Sequence, residues 1–222
     1  MQIKLLSCLS GVQKYFTDEY NRETICIPNG VNAAEQVKPD IIKKKFNLEE
    51  NGYILFLARI VPEKGLHFLI EAYKQIKTNK KLVIAGGASH TNNYLKNIQD
   101  MIKDDDRIIM TGFVQGKELE ELYSNCYLYC LPSSVEGMPL SLLEAMSYGC
   151  HCLVSNIEEN TQITENYAET FKKENVEDLK NKIEQELKKD YNEKSEKIKE
   201  FITKKYDWDK VVKQTEELYK SL

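Results

Sequence analysis

From Tyr53 onward the sequence repeats one rhythm, in which a short apolar run gives way to a small-residue loop and then to a stretch of helical period. That alternation constrains the fold most, because strands separated by helices pair in parallel and bury both faces of their sheet. The runs are Tyr53 to Ala58, Leu82 to Ala85, Arg107 to Thr111, Tyr127 to Leu131, Cys150 to Ser155 and, more weakly, Ala168 to Phe171. Between them Leu66, Leu69, Ile70 and Tyr73 fall on one helical stripe, as do Tyr94, Ile98 and Met101, then Leu119, Leu122 and Tyr123, then Leu142, Leu143 and Met146. The pattern predicts an α/β chain with a doubly wound, Rossmann-like parallel sheet that starts near Tyr53, after a helix around Ile41 to Phe46.

Both ends depart from the rhythm. The first 35 residues do not follow it, and Pro28, Asn29 and Gly30 mark a turn before it begins. From Lys172 to Leu222 the chain is dense in Lys and Glu, yet Val176, Leu179, Ile183 and Leu187 keep helical spacing, as do Val212, Thr215 and Leu218 with Tyr219. That predicts amphipathic helices with solvated charged faces, broken at Asp190 to Ser195 where turn and cap residues cluster.

Several function classes fall away on composition. At 41% hydrophobic and 30% charged the chain of 222 residues can build a core, and its 31 basic against 35 acidic residues leave no field for nucleic acid. No apolar run approaches the roughly 20 residues that span a bilayer, and no signal-peptide core is present, so a soluble, cytoplasmic protein is expected. Cys126, Cys130, Cys150, His151 and Cys152 invite a zinc reading, but no Cys-x-x-Cys occurs, and buried free thiols account for them better. His67, His90 and His151 have no partner at catalytic spacing.

Two segments carry chemistry. In Leu131 to Gly149 an apolar strand ends, a loop follows and a helix is predicted to begin at Pro139 and to be capped by Gly149. Ligands of open α/β sheets bind at that edge, where free backbone N–H groups and the helix dipole receive anions. Glu136 in the loop and Glu144 on the helix are expected to face one cleft, Glu144 accepting two hydrogen bonds from a vicinal diol and Glu136 reaching a second hydroxylated ring. In the other segment, Phe56 to Gly65, Arg59 and Lys64 stand five residues apart at a strand's carboxyl end, the spacing of a diphosphate clamp. The chain has only three arginines, Arg22, Arg59 and Arg107, so bidentate phosphate recognition has few candidates. Gly86 and Gly87 permit close backbone approach, and Gly112, Phe113 and Val114 make another turn on the same edge.

Together these residues resemble the retaining glycosyltransferases of family 4, which have the two-domain GT-B architecture. The likeness runs from about Ser7 to the end and rests on Asn29, Gly30 and Val31 as the interdomain turn, Arg59, Lys64 and Gly65 as the diphosphate pair, and Glu136 to Glu144 as the Glu-x7-Glu motif. The resemblance implies a donor half, with a remnant of the acceptor domain and the interdomain turn at 1–35, a Rossmann-like donor-binding domain at 36–205, and a C-terminal helix at 206–222 that packs back toward the acceptor domain. It implies Arg59 and Lys64 on the diphosphate, Glu136 by the donor sugar and Glu144 on the ribose. Backbone groups of Gly137, Met138, Leu140 and Ser141 would hold sugar and phosphate, Phe113 and Val114 would touch the base, and Gly86 and Gly87 would line the donor site.

The implied reaction moves a sugar from a UDP-, GDP- or ADP-sugar to the hydroxyl of a glycan or lipid-linked acceptor in cell-surface polysaccharide or glycolipid synthesis, with retention and without cofactor or metal. The full enzyme is expected to associate peripherally with the inner face of a membrane, and this chain, lacking the acceptor domain, to be inactive alone. The alternatives are a non-catalytic nucleotide-sugar-binding half-domain or another GT-B enzyme, such as a sugar phosphorylase or an epimerase. Two departures stand out: Pro139 replaces the Gly of many members, and of the acceptor domain only a final strand and helix at Ile3 to Tyr20 is expected. The Asp-x-Asp stretches Asp104 to Asp106 and Asp207 to Asp209 read as turn or cap residues.

Overall fold

The structure is a computed structural model that describes residues 5–87, 92–189 and 195–221. Its first elements are β1 (Leu5–Ser7), α1 (Ser10–Tyr20) and β2 (Thr24–Cys26), and β1 and β2 pair in parallel. The strand and helix expected at Ile3 to Tyr20 are present as β1 and α1, and β2 completes a strand–helix–strand unit, which corrects the expectation that the first 35 residues follow no such rhythm. A three-residue strand such as β2 is too short to show in a hydrophobic pattern.

After the turn at Pro28 to Val31 come α2 (Ile41–Phe46) and β3 (Tyr53–Leu57). Then follow α3 (Leu66–Lys74), β4 (Lys81–Ala85), α4 (Asn92–Ile102), β5 (Ile108–Gly112), α5 (Lys117–Asn125), β6 (Leu128–Leu131), α6 (Leu140–Ser147), β7 (Cys152–Ser155), α7 (Glu158–Thr164), β8 (Glu169–Phe171) and α8 (Val176–Glu186). The six strands β3 to β8 form one parallel sheet in the order β5-β4-β3-β6-β7-β8, the doubly wound topology of a Rossmann-like fold. The predicted strands match within two residues. The polar helix α7 escaped the sequence reading because Ile163 is its single large apolar residue and the rest of its buried face is Asn160 and Thr164.

Period-two alternation separates two core layers. Tyr53 and Leu55 of β3 join Val83, Tyr129, Leu142 and Met146 on one side, while Ile54 and Phe56 join Leu69, Ile70, Tyr73 and Leu179 on the other. All twelve are fully buried. The chain closes with α9 (Ser195–Lys205), which buries Ile198 and Ile202, and α10 (Trp208–Lys220). On α10 the buried stripe runs through Val211, whereas Val212 and Tyr219 face solvent, which corrects the predicted stripe by one residue. The predicted break at Asp190 to Ser195 lies, apart from Ser195, outside the described residues.

Candidate functional site

Strand order reverses between β3 and β6, so their carboxyl ends splay apart and open the crevice where ligands of such sheets bind. Beyond β3 the chain turns through a single 3-10 turn, Pro62–Lys64, into Gly65, whose φ of +67° is left-handed. A side chain there would run into the carbonyl of Pro132, so glycine lets the two loops touch. The backbone N–H of Ser134 donates to the carbonyl of Glu63 at 2.8 Å and completes the seam.

That seam delivers Lys64 to Glu136. The ammonium lies 2.6 Å from each carboxylate oxygen, and the Ser133 hydroxyl donates to Oε1, also at 2.6 Å. The side chains are 15% and 4% exposed, so the pair is largely dry and each charge needs the other. Behind it the Ser155 hydroxyl donates to the Ser133 carbonyl and accepts from Asn160 Nδ2 at 3.0 Å, which fixes the Glu136 loop from β7 and α7. Arg59, two residues past β3, is exposed, and among the described residues no carboxylate pairs with it. Arg107 is committed elsewhere, to Asp105 at 2.7 Å and the Ile76 carbonyl at 2.9 Å.

The loops after β3, β4 and β5 are laced together through the Gly86–Gly87 pair. Gly86 N–H donates to the Gly112 carbonyl at 2.8 Å and Ile60 N–H to that of Gly87 at 2.9 Å. Gly86 has a φ of +142° and no room for a side chain against the Ala58 carbonyl. Phe113, on the next turn, is 76% exposed, whereas Val114 is buried.

At the start of α6, Pro139 is the residue before the helix, with φ −70° and ψ 104°, rather than its first member. Its carbonyl takes the N–H groups of Leu142 and Leu143, and among the described residues those of Leu140 and Ser141 have no acceptor, which leaves the helix end open to an anion. Gly149, with φ +77°, follows the other end as predicted.

Two buried tyrosines tie this helix to the sheet. The Tyr129 hydroxyl is 2.8 Å from Ser141 Oγ and 3.3 Å from the Leu57 carbonyl, so it joins the ends of β3 and α6. The Tyr123 hydroxyl donates to Glu144 Oε2 at 2.9 Å. Burial pushes both phenols well above their ordinary range and keeps them neutral donors. Glu144 lines a cleft of about 660 Å³ shared with Asn32, Gly116, Glu120, Leu140 and Trp208. Among the described residues Glu144 is engaged by the Tyr123 hydroxyl rather than by a cation. Glu136 instead turns toward Lys64.

The turn at Asn29 to Val31 seats against this edge. Asn29 N–H reaches Met138 Sδ at 3.2 Å, Val31 N–H donates to the Tyr206 carbonyl at 2.8 Å, and the Trp208 ring fills the space where a Gly30 side chain would be. Gly137 and Leu140 are exposed between them. The sequence reading missed Tyr123, Tyr129 and Ser133, although a tyrosine in a buried run signals a hydroxyl that needs a partner.

Among the described residues no group of three or more His, Cys, Asp or Glu side chains is arranged to hold a metal ion, and no helix is long and apolar enough to cross a membrane. Asp207 caps α10 through the N–H groups of Asp209 and Lys210. The described cysteines are all free, with Cys126 and Cys150 sulfurs 3.6 Å apart. His67 Nδ1 lies 2.8 Å from the Tyr94 hydroxyl, and His90 lies outside the described residues.

The chain is 30% identical over 155 residues to the UDP-Gal:alpha-D-GlcNAc-diphosphoundecaprenol alpha-1,3-galactosyltransferase of Escherichia coli, covering 65% of this chain and 40% of that protein. It is 30% identical over 219 residues to the lipopolysaccharide 1,2-N-acetylglucosaminetransferase of Salmonella typhimurium, covering 88% and 56%. The chain thus spans about half the length of these curated relatives. Its fold matches that of Anabaena Alr3699/HepE, solved with UDP and glucose, with a TM-score of 0.87 at 19% identity, over 99% of this chain and 63% of that one. The profile of the family described as Glycosyl transferases group 1 matches residues 37–205, and the chain belongs to that family.

Proposed function

We propose that this chain is the donor-binding part of a retaining glycosyltransferase of family 4, which transfers a sugar from a nucleoside diphosphate sugar to an acceptor hydroxyl. The observation that carries the reading is the convergence, where strand order reverses, of the Lys64–Glu136 pair with the open amino end of α6. As the glycosidic bond breaks, negative charge builds on the departing diphosphate. Lys64, Arg59 and the N–H groups of Leu140 and Ser141 stand ready to receive it without reorganising.

The roles of the remaining residues follow. Lys64 has three donors and two oxygens of Glu136 to serve, so it can hold Glu136 and still meet a phosphate. Glu136 stands by the donor sugar and favours positive charge as it develops on the ring. Glu144 accepts the ribose diol, Phe113 and Val114 meet the base, and backbone groups of Gly86, Gly87, Gly137 and Met138 lie against sugar and phosphate. The acceptor is held by the part of such enzymes that lies outside these 222 residues. The E. coli relative's name joins a UDP-sugar to a diphosphoundecaprenol-linked acceptor, which supports a lipid-linked glycan acceptor here and work at a membrane face.

Thermal denaturation with UDP, GDP and ADP tests the donor site directly. A nucleotide at about 100 times its dissociation constant is expected to stabilise the chain by about 2.7 kcal/mol, and no stabilisation by any of the three overturns the reading. In the complete enzyme, Lys64→Ala and Arg59→Ala are each expected to lower turnover about 10²-fold. Unchanged kinetics in both variants would remove the clamp.

A further inference from the structure

Glu144 is held by a contact that the motif does not contain. It sits in the second turn of α6, half-buried, and among the described residues the Tyr123 hydroxyl is the donor to its side chain, at 2.9 Å from Oε2. The other oxygen takes no hydrogen bond there, and the residue lines the cleft. Tyr123 comes from the last turn of α5, 21 residues away in sequence, and is 2% exposed.

Everything around Tyr123 restricts its motion. Its ring stacks on Tyr148 with centroids 5.4 Å apart and planes 18° apart, and lies 6.2 Å from the Tyr129 ring. Its own carbonyl accepts from the thiols of Cys150 at 3.1 Å and Cys126 at 3.4 Å. With two side-chain torsions fixed by packing, the hydroxyl has one place to be. Its second acceptor, the Ser141 carbonyl at 3.3 Å, belongs to the same helix and is the longer contact. Such a donor does for a carboxylate what a packed hydrogen-bond partner does for a metal-binding histidine: it selects one orientation before any ligand arrives.

We propose that Tyr123 is the positioning residue for Glu144, its phenol holding one carboxylate oxygen so that the other, and the remaining lone pair of the first, face the cleft to receive a ribose diol. The inference rests on the assignment of Glu144 to the ribose. An untethered glutamate would spread over several rotamers and lose part of the advantage of a two-point contact. Tyr123 therefore sets how strongly the site prefers a ribonucleotide to one without the 2′ and 3′ hydroxyls, while contributing nothing to the phosphate contacts made by Lys64 and the α6 terminus. Because burial and the neighbouring Glu144 and Tyr129 hold the phenol protonated, the donor is present throughout the neutral range.

The test compares the affinities of UDP and 2′,3′-dideoxyUDP, with GDP or ADP pairs substituted if UDP does not bind, in the wild-type chain and in Glu144→Gln, Tyr123→Phe and the double variant. Glu144→Gln is expected to reduce the preference for the ribonucleotide about tenfold or more, and Tyr123→Phe about threefold to tenfold, with dideoxy affinity held within about twofold. The double variant should match Glu144→Gln, because the hydroxyl acts through that carboxylate. An unchanged preference in Glu144→Gln overturns the ribose assignment, and this proposal with it. A changed preference there with none in Tyr123→Phe, or additive losses in the double variant, overturns the role of Tyr123 alone. Should Tyr123→Phe fail to fold, the wild-type Tyr123 hydroxyl proton, followed by NMR, is expected to shift with UDP and not with the dideoxy form; equal shifts overturn the proposal.

Discussion

The six-stranded sheet and the β1–α1–β2 unit share a parallel strand–helix design but differ in what covers them. Every residue of β6 and β7 is buried, and β3 is buried through Phe56. In α1 no residue is buried, and Leu6, Tyr15, Tyr20 and Ile25 expose 56%, 54%, 62% and 36% of their surface. The same local pattern therefore yields a fully buried sheet in one place and an exposed apolar surface in the other. The unit before the sheet joins the main core through Leu9, with Cys8 and Val12 packed beside it.

The sharpest way to break that contrast is to cut one large side chain from each region. Phe56→Ala is expected to cost about 3–5 kcal/mol in urea denaturation, whereas Tyr15→Ala stays within about 0.5 kcal/mol. Equal losses would show that the two regions form one cooperative core. A smaller effect is expected of Gly65→Ala, about 1–3 kcal/mol in calorimetry together with weakened nucleotide binding, because the added carbon meets the Pro132 carbonyl at a left-handed φ. A wild-type melting temperature in that variant would remove the close approach that joins Lys64 to Glu136. The smallest concerns α10, which packs Trp208 against Gly30 in the turn between the two regions. Asp207→Ala removes its cap and is expected to cost about 1 kcal/mol, read as faster amide exchange in α10 with the sheet amides unchanged. Spread of that exchange into β3 or β6 would assign α10 to the core.

How much of this was legible follows the range of the interactions. The sheet strands showed because each is a run of apolar residues long enough to register, and Lys64, Glu136 and Glu144 showed because their spacing is local to a loop or a helix. β2 was too short, and α7 hides its buried face in Asn160, bonded to Ser155 just ahead of the helix, and Thr164, bonded back to the Asn160 carbonyl. Pro139 stands one residue before the helix rather than at its first position, because its extended ψ of 104° keeps it out of the first turn. The partners of the two glutamates could not be read: Lys64 meets Glu136 across 72 positions and Tyr123 meets Glu144 across 21, and nothing in one dimension pairs them. For the same reason the different neighbours that engage the two carboxylates could not be told from their spacing.

The 72-residue gap between Lys64 and Glu136 also has a temporal side. Their contact depends on β3 lying beside β6, two strands separated in the chain by both α3–β4–α4 and β5–α5. Closing so long a segment is slow compared with local helix growth, so the ion pair belongs to the late stages of refolding. A nucleotide that recognises the pair would therefore report on the completed chain and ignore its partly collapsed precursors.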